Sequence, residues 1–310
     1  NLHSRVSKKL LLSQTLARIN ETEIAFLESG KIPFSDGNEY NEPHHPYSYD
    51  LDIFGPHSLF QHLNRTKTVM GKRRLAQTLL HKSVDQEISE RQAALQELTK
   101  HAEWRQLFSA KAEMANDSEK IVNALGSWTT EQHSFSGWLK ILCYLLPASG
   151  LSLTLAGILL GFHPLLLNLA GTVFIFNLIV LGSKVKHMNR EIAHGDKINE
   201  TLLRYSELLE AIEQTDWKSQ HLKEIRAGLL NGSSGASQKL HELSRIFSAL
   251  ESLQNGLGAI VFNGTFLYHI HAYRKLLNWK SIHTVHLQQW LEVIGEMEML
   301  VSLANLSFNN

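Results

Sequence analysis

Two long uncharged runs lie next to each other in the middle of the chain and restrict the folds that it can adopt. The first run, Ile141 to Phe162, has 22 residues, and the second, Pro164 to Ser183, has 20. About 20 apolar helical residues cross a bilayer core of roughly 30 Å, so each run is long enough to span one. The two runs therefore predict a helical hairpin with its turn at His163-Pro164.

The charges beside this hairpin predict how it would be oriented in a membrane. Lys140 precedes the first run, and Lys184, Lys186 and Arg190 follow the second, whereas the turn has no Lys or Arg. Because positively charged flanks stay in the cytoplasm, both ends of the hairpin would face that side. A hairpin buried in a large soluble core is the alternative, since both runs contain polar residues. These are Ser149, Ser152, Thr154, Asn168, Thr172 and Asn177.

The distribution of proline predicts an all-α fold. Four of the six prolines lie between Pro33 and Pro56, in an irregular arm rich in Gly and aromatic residues that follows an N-terminal helix. Only Pro147 and Pro164 come later, and no sustained apolar–polar alternation or hairpin dipeptide indicates strands. We therefore predict an elongated helical bundle that contains long antiparallel helices and the apolar hairpin.

Two seams of apolar residues predict those long helices, because their members recur mostly at steps of three and four. The first seam is Ile198, Leu202, Tyr205, Leu209 and Ile212, and the second is Leu240, Leu243, Phe247, Leu250 and Leu257. A Gly/Ser-rich turn, Asn231 to Ser237, lies between them. The two helices should therefore pack antiparallel, with this turn at one tip.

Composition and motifs argue against several functions. The 30 basic and 30 acidic residues balance, so any contact with nucleic acid must be local. The lone Cys143 cannot form an internal disulfide, and neither a phosphate loop nor a nucleophile elbow is present. The His pairs 44/45, 269/271 and 283/286 lack matching metal ligands. This chain alone is predicted to be neither an enzyme nor a holder of a metal or cofactor.

A basic segment stands out against this balanced background. Between Ile53 and Val84 there are six Lys and Arg residues and no Asp or Glu. If the chain binds DNA, the best candidates for phosphate contacts are Lys67, Lys72, Arg73 and Arg74. The alternative, which we favour, is a solvated helix face in which Arg73 pairs with a distant carboxylate.

Local signals place helices on both sides of residue 82. Thr66 or Thr68 can cap a helix through Met70 and Leu80, and Gly71 within it indicates close approach of another helix. A capping-box spacing over residues 83–86 predicts a second helix that continues through Leu98 to Leu107.

The same stretch resembles the start of the core domain of MutS-type DNA mismatch repair proteins. The family pattern Asn-x-Thr-x-Thr-x-x-Gly-x-Arg is followed by a helix with Ile-x-x-Arg-Gln-x-x-Leu. The matching residues here are Asn64, Thr66, Thr68, Gly71 and Arg73, then Ile88, Arg91, Gln92 and Leu95. Near the C-terminus, "WLEVIGEMEMLVSLANLSF" resembles the helix that ends this core domain just before the ATPase domain.

A further stretch, "HHPYSYDLDIFGPHSLFQHL", resembles a membrane-associated branch of the family that lacks the mismatch-reading domain. Phe26-Leu27-Glu28 has the letters of the family's mismatch wedge without its context, so we do not assign it. The resemblance implies a domain organisation. Residues 1–56 form the N-terminal helix and arm, 57–137 the first half of the core, 138–184 the hairpin, and 185–310 the lever helices and the second half.

The resemblance also implies a function. The chain would be the lever region of a MutS-like ATPase whose motor domain follows Asn310, and ATP and Mg²⁺ would bind only there. Double-stranded DNA, a second copy of the chain, and a membrane contacted from the cytoplasmic side through residues 141–183 would be the partners. The alternative is a membrane-tethered helical scaffold or adaptor that binds no nucleic acid.

Overall fold

A computed structural model describes residues 2–42, 44–130, 135, 137–191, 195–230, 234–254 and 256–309. Every regular element in these residues is a helix, and they contain no strand, which confirms the all-α prediction. The α-helices are α1 (Leu2–Ser29), α2 (Leu59–Leu63), α3 (Val69–Leu80), α4 (Asp85–Lys100), α5 (Ala102–Met114), α6 (Glu119–Thr130), α7 (Gly137–Leu159), α8 (Pro164–Glu191), α9 (Gly195–Gln214), α10 (Gln220–Leu229), α11 (Ala236–Glu251), α12 (Gly256–Phe266) and α13 (Tyr268–Asn309). Short 3-10 helices occur at Asn38–Tyr40 and Ser252–Gln254.

The chain divides into two compact units, and each is built from separate stretches of sequence. Unit 1 comprises Asn1–Val122, Thr201–Leu240 and His286–Asn310. Unit 2 comprises Asn123–Glu200 and His241–Val285. The long helices α9, α11 and α13 therefore contribute residues to both units.

The two seams form antiparallel helices, as predicted. Near the end of α9, Glu213 accepts a hydrogen bond of 2.9 Å from the amide of Ser237, which lies at the start of α11. Near the start of α9, Asn199 donates at 2.8 Å to Ser248, towards the end of α11. Every seam residue except Leu257 is at most 4% exposed, so the 3.6-residue periodicity identified the buried faces.

The second seam ends earlier than predicted. Helix α11 stops at Glu251, where the Ser252 hydroxyl bonds to the carbonyl of Ala249 (2.7 Å) and competes with the helical pattern. Leu257 was wrongly assigned to this seam, because it lies on α12 and is 84% exposed. A helix that was not predicted, α10, also lies between α9 and the turn predicted at residues 231–237, of which 231–233 fall outside the described residues.

The helix predicted to run from residue 83 past residue 100 is in fact two helices. Its capping box does not form, since Val84 is the N-cap and the Ser83 hydroxyl instead accepts from Arg91 at 3.1 Å. The break falls at His101, whose φ and ψ are −103° and 51°. Beyond the break, Trp104 packs edge-on against Trp217 with ring centroids 5.0 Å apart, so tertiary packing of α5 accompanies the interruption.

Helices α7 and α8 form the apolar hairpin, and both are long and apolar enough to cross a membrane. Within their most apolar 18-residue windows, only 17% and 22% of the residues are buried. The exposed apolar side chains include Ile141, Leu145, Leu155, Leu159, Leu165, Ile175 and Ile179. The hairpin is therefore not the buried core of unit 2.

A third apolar helix, α12, packs on this hairpin. The buried Asn177 side chain of α8 donates at 2.7 Å to the carbonyl of Gly264 on α12. Helix α13 follows after Leu267 and continues without interruption for 42 residues, which gives it a length of about 63 Å.

Candidate functional site

Within the basic segment, residues 64–68 form a turn that starts helix α3 in unit 1. The side chain of Asn64 accepts hydrogen bonds from the amide and the hydroxyl of Thr66, at 3.1 and 2.6 Å. Thr68 is the N-cap of α3, and its hydroxyl accepts from the amide of Gly71 at 3.1 Å. The Asn-x-Thr-x-Thr-x-x-Gly pattern thus encodes an Asx turn followed by a capped helix.

Glu298 of α13 closes this turn from the other side. Its carboxylate accepts from the amides of Lys67 (2.7 Å) and Thr68 (3.2 Å) and from the Thr68 hydroxyl. The side chain is 3% exposed, and burial raises its pKa to about 7 although these hydrogen bonds oppose the shift. A buried carboxylate at the N-terminus of α3 therefore joins the basic segment to α13.

Two glycines set the closest approach of α3 and α13. A Cβ atom on Gly71 would collide with the Glu298 side chain, 2.8 Å from its Cδ. A Cβ atom on Gly295 of α13 would lie 2.7 Å from the carbonyl oxygen of Met70. The close approach predicted for Gly71 is confirmed, and the two helices meet there almost backbone to backbone.

Glu296, two residues before Glu298, binds two guanidinium groups and an imidazole. It accepts from Arg74, from Nε of Arg91 at 3.2 Å, and contacts Nε2 of His221 at 3.0 Å. Burial opposes ionisation of Glu296, but the His221 hydrogen bond and the two guanidinium groups outweigh it and lower the pKa to about 2. Arg91, which belongs to the second family motif, thereby ties α4 to α13.

The four candidate phosphate contacts lie among carboxylates. Nζ of Lys67 is 3.2 Å from Glu113, Arg73 bonds to Glu119, and Arg74 bonds to Glu296. Lys72 lies close enough to Asp117 for its charge to oppose the rise in pKa that burial causes in that carboxyl. The distant carboxylate expected for Arg73 is thus Glu119. Contact of these four cations with DNA stays a prediction.

Asp117 connects the start of α3 to the lever helix α9. It accepts from the amide of Val69 at 3.0 Å and from the hydroxyl of Tyr205, a seam residue of α9. Burial raises the pKa of Asp117, while these two hydrogen bonds counteract the shift. Movement of the N-terminal end of α3 is therefore resisted by α13, through Glu298, and by α9, through Asp117 and Tyr205.

Sequence reasoning missed the acidic members of this site. The signal was the stretch "GEMEMLVSLANL", in which Glu296 and Glu298 are the only charged residues. Charged residues are almost never fully buried unless they are paired, so two carboxylates in an apolar helix require partners. Nothing local to the stretch indicates that those partners lie from 75 to 231 residues earlier.

One further group of side chains comes together only in three dimensions. Glu90, His221 and Glu224 offer ligand atoms that all lie within 4.8 Å of one another, and among the described residues they form a possible cation site. His221 is already committed to Glu296, and Glu224 is exposed. Through His221, this group therefore borders the polar network around Glu296.

Comparison with known proteins agrees with this architecture. The family model for MutS domain III matches residues 49–304, which is most of the chain. Neither a curated protein nor a solved structure matches the chain significantly. The family match includes the basic segment, the hairpin and the two carboxylates of α13. The chain therefore belongs to the MutS family of mismatch repair proteins, and residues 49–304 are its domain III.

Proposed function

We propose that this chain is the core and lever region of a MutS-like ATPase. It would transmit nucleotide-driven movement from a C-terminal ATPase domain, which would follow Asn310, to DNA or to the apolar hairpin. ATP and Mg²⁺ would bind in that further domain. The observation that carries the proposal is the junction of α3 with α13, where Glu298 binds the cap of α3 and Gly295 contacts Met70.

The junction has the properties that mechanical coupling requires. Helix α13 is a single rod of about 63 Å whose last residues would enter the ATPase domain. Because packed interiors deform little, a displacement of α13 at residues 295–298 must carry α3 with it. Asp117 then links α3 to Tyr205 on lever helix α9. Force applied at the C-terminal end can thus reach the levers through buried contacts of unit 1.

The ion pairs of the basic segment support a structural role for it. To contact phosphate, Lys67, Arg73 and Arg74 would have to break their ion pairs with Glu113, Glu119 and Glu296. Double-stranded DNA and a second copy of the chain are proposed as partners because of family membership. The DNA would be held by other parts of the domain.

We include membrane insertion of α7 and α8 in the proposal. Their length, their composition and the exposure of their apolar side chains support it. The basic residues that flank the hairpin favour a cytoplasmic location for the rest of the chain. The competing function is a membrane-tethered scaffold that binds no nucleic acid, and the internal pairing of the basic segment favours it.

The first test is the sequence that follows Asn310 in the parent gene. The proposal expects a phosphate-binding loop within roughly 100 residues, because an ATPase domain begins its nucleotide site with such a loop. Absence of any nucleotide-binding motif downstream would leave the scaffold as the function.

The second test uses the protein that contains this chain and the downstream domain. Gly295→Ala should abolish stimulation of ATP hydrolysis by DNA while basal hydrolysis persists, because the new methyl group meets Met70. Gly228→Ala on α10 is the matched control, since a Cβ atom there would meet no atom within 4 Å among the described residues, its own helix backbone and chain neighbours aside. Unchanged stimulation in folded Gly295→Ala would contradict the coupling role.

A further inference from the structure

A wide basic cleft lies within unit 2, apart from the junction described above. Its volume is about 1010 Å³, and it is bounded by the start of α7 and by residues 274–285 of α13. Four of its lining residues are cations, namely Lys140, Arg274, Lys275 and Lys280. None of the lining residues that the structure describes is acidic. The cleft therefore presents a concentrated positive charge.

Contacts around the cleft hold two of its cations in place but neutralise only one of them. Lys280 is 4% exposed, and its Nζ lies 3.5 Å from Glu191 and 4.7 Å from the ring centroid of Trp128. Arg274 donates at 2.6 Å to the hydroxyl of Tyr144, which is a neutral partner, and its guanidinium lies over the same ring. Glu191 thus offsets one cation, while Arg274 is oriented with its charge intact.

The position of the cleft along α7 predicts its depth in a bilayer. Lys140 directly precedes the uncharged run that starts at Ile141. Trp138 and Tyr144 flank this point and are 65% and 56% exposed. Trp and Tyr concentrate at the boundary between hydrocarbon and water, where phospholipid headgroups lie. Once the hairpin is inserted, the cleft would open among those headgroups.

We propose that this cleft binds the phosphate headgroup of an anionic phospholipid. The cations supply charge, and the side-chain amide of Asn278 in the cleft can donate hydrogen bonds to phosphate oxygens. A lipid also places its acyl chains beside the exposed apolar residues of α7, which a DNA backbone does not. The inference rests on the membrane part of the proposed function.

The test compares two triple variants of the full chain, purified in detergent. Lys140→Gln/Arg274→Gln/Lys275→Gln removes three charges from the cleft. Lys184→Gln/Lys186→Gln/Arg190→Gln removes three charges from α8, in the same unit but outside the cleft lining. Native mass spectrometry counts the phosphatidylglycerol and phosphatidylcholine molecules that each protein retains. Flotation with vesicles of either lipid measures membrane association.

We expect the unaltered chain to retain phosphatidylglycerol in preference to phosphatidylcholine. The cleft variant should lose at least about tenfold of that retention, since each basic residue near a membrane surface contributes measurably to anionic-lipid affinity. The α8 variant should lose far less, and flotation with phosphatidylcholine vesicles should not change. Lys140→Gln/Lys275→Gln, which keeps the Arg274–Tyr144 contact, should give an intermediate loss if the first variant folds poorly by circular dichroism.

Three outcomes would overturn the inference. These are equal losses in the two triple variants, no preference for phosphatidylglycerol in the unaltered chain, and displacement of the lipid by a short DNA duplex, which would identify a nucleic-acid site. Flotation with phosphatidylcholine but no lipid preference refutes this inference alone. A chain that associates with neither vesicle also refutes the membrane part of the proposed function.

Discussion

Glu298 accepts a hydrogen bond of 2.7 Å from the amide of Lys67, a residue 231 positions earlier in the chain. The carboxylate is buried, and the turn that it binds is the N-cap of α3. This bond joins the first helix motif of domain III to the helix that would lead into an ATPase domain. Its neighbour Glu296 makes a second connection, to Arg74 and Arg91.

Glu298→Gln tests the buried carboxyl through the pH dependence of stability. Burial raises its folded pKa from 4.5 to about 7, so its protonated form contributes stability that is complete below pH 4.5. This contribution is lost as the pH rises through about 7, by an amount on the order of 3 kcal/mol. From pH 5 to pH 8, Glu298→Gln should therefore gain stability relative to the unaltered protein. Denaturant unfolding in one detergent at several pH values measures this, and parallel curves for the two proteins would contradict it.

Glu296→Gln should behave in the opposite way. The folded pKa of Glu296 is lowered to about 2, so its ionised form contributes stability above the unfolded pKa of 4.5, and this is lost as the pH falls through 2. At neutral pH the variant removes the carboxylate that Arg74 and Arg91 share, with only Arg91 keeping a second one in Glu87, and should lose roughly 3 kcal/mol. The loss should shrink below pH 4.5. Glu292→Gln on the exposed face of α13 is the control and should change stability by less than about 0.5 kcal/mol.

Part of this site could be predicted from sequence because the relevant physics is local. The cap at Thr68 and the close approach at Gly71 follow from the preferences of those residues within a few positions. The carboxylates Glu296 and Glu298 could not be matched to their partners, since pairing across most of the chain leaves no periodic signal. No Gly or Pro lies at His101 to indicate from the sequence that the helix breaks there. The break accompanies packing of α5 against residues distant in sequence.

The double variant Lys72→Gln/Arg74→Gln separates a DNA-binding face from a structural one. Each neutralised phosphate contributes about 0.9 to the slope of log affinity against log salt. Because Arg74 is engaged by Glu296 and Lys72 lies near Asp117, we expect the affinity for duplex DNA and the slope to stay unchanged while stability falls. A slope reduced by about one or two, with equal weakening for all duplex sequences, would assign phosphate contacts to the basic segment.

Reporter fusions test the topology of the hairpin. A reporter at residue 163, in the turn between α7 and α8, should report the side opposite to the cytoplasm. A reporter placed after residue 190 should report the cytoplasm, because Lys184, Lys186 and Arg190 flank that end. Reporters on the same side, or quantitative recovery of the chain as a soluble monomer without detergent, would contradict membrane insertion.

The central claim is that nucleotide moves the lever region through the junction of α3 with α13, and a distance measurement tests it most directly. A spin label at exposed Lys223→Cys on α10, in a form of the protein with the downstream domain from which Cys143 and any downstream cysteine have been removed, gives one distance between the two copies of a homodimer. Addition of a non-hydrolysable ATP analogue should shift this distance in the Gly228→Ala control and leave it unchanged in Gly295→Ala, whose new methyl group separates α13 from Met70. An equal shift in both variants, or no shift in either, would contradict the account.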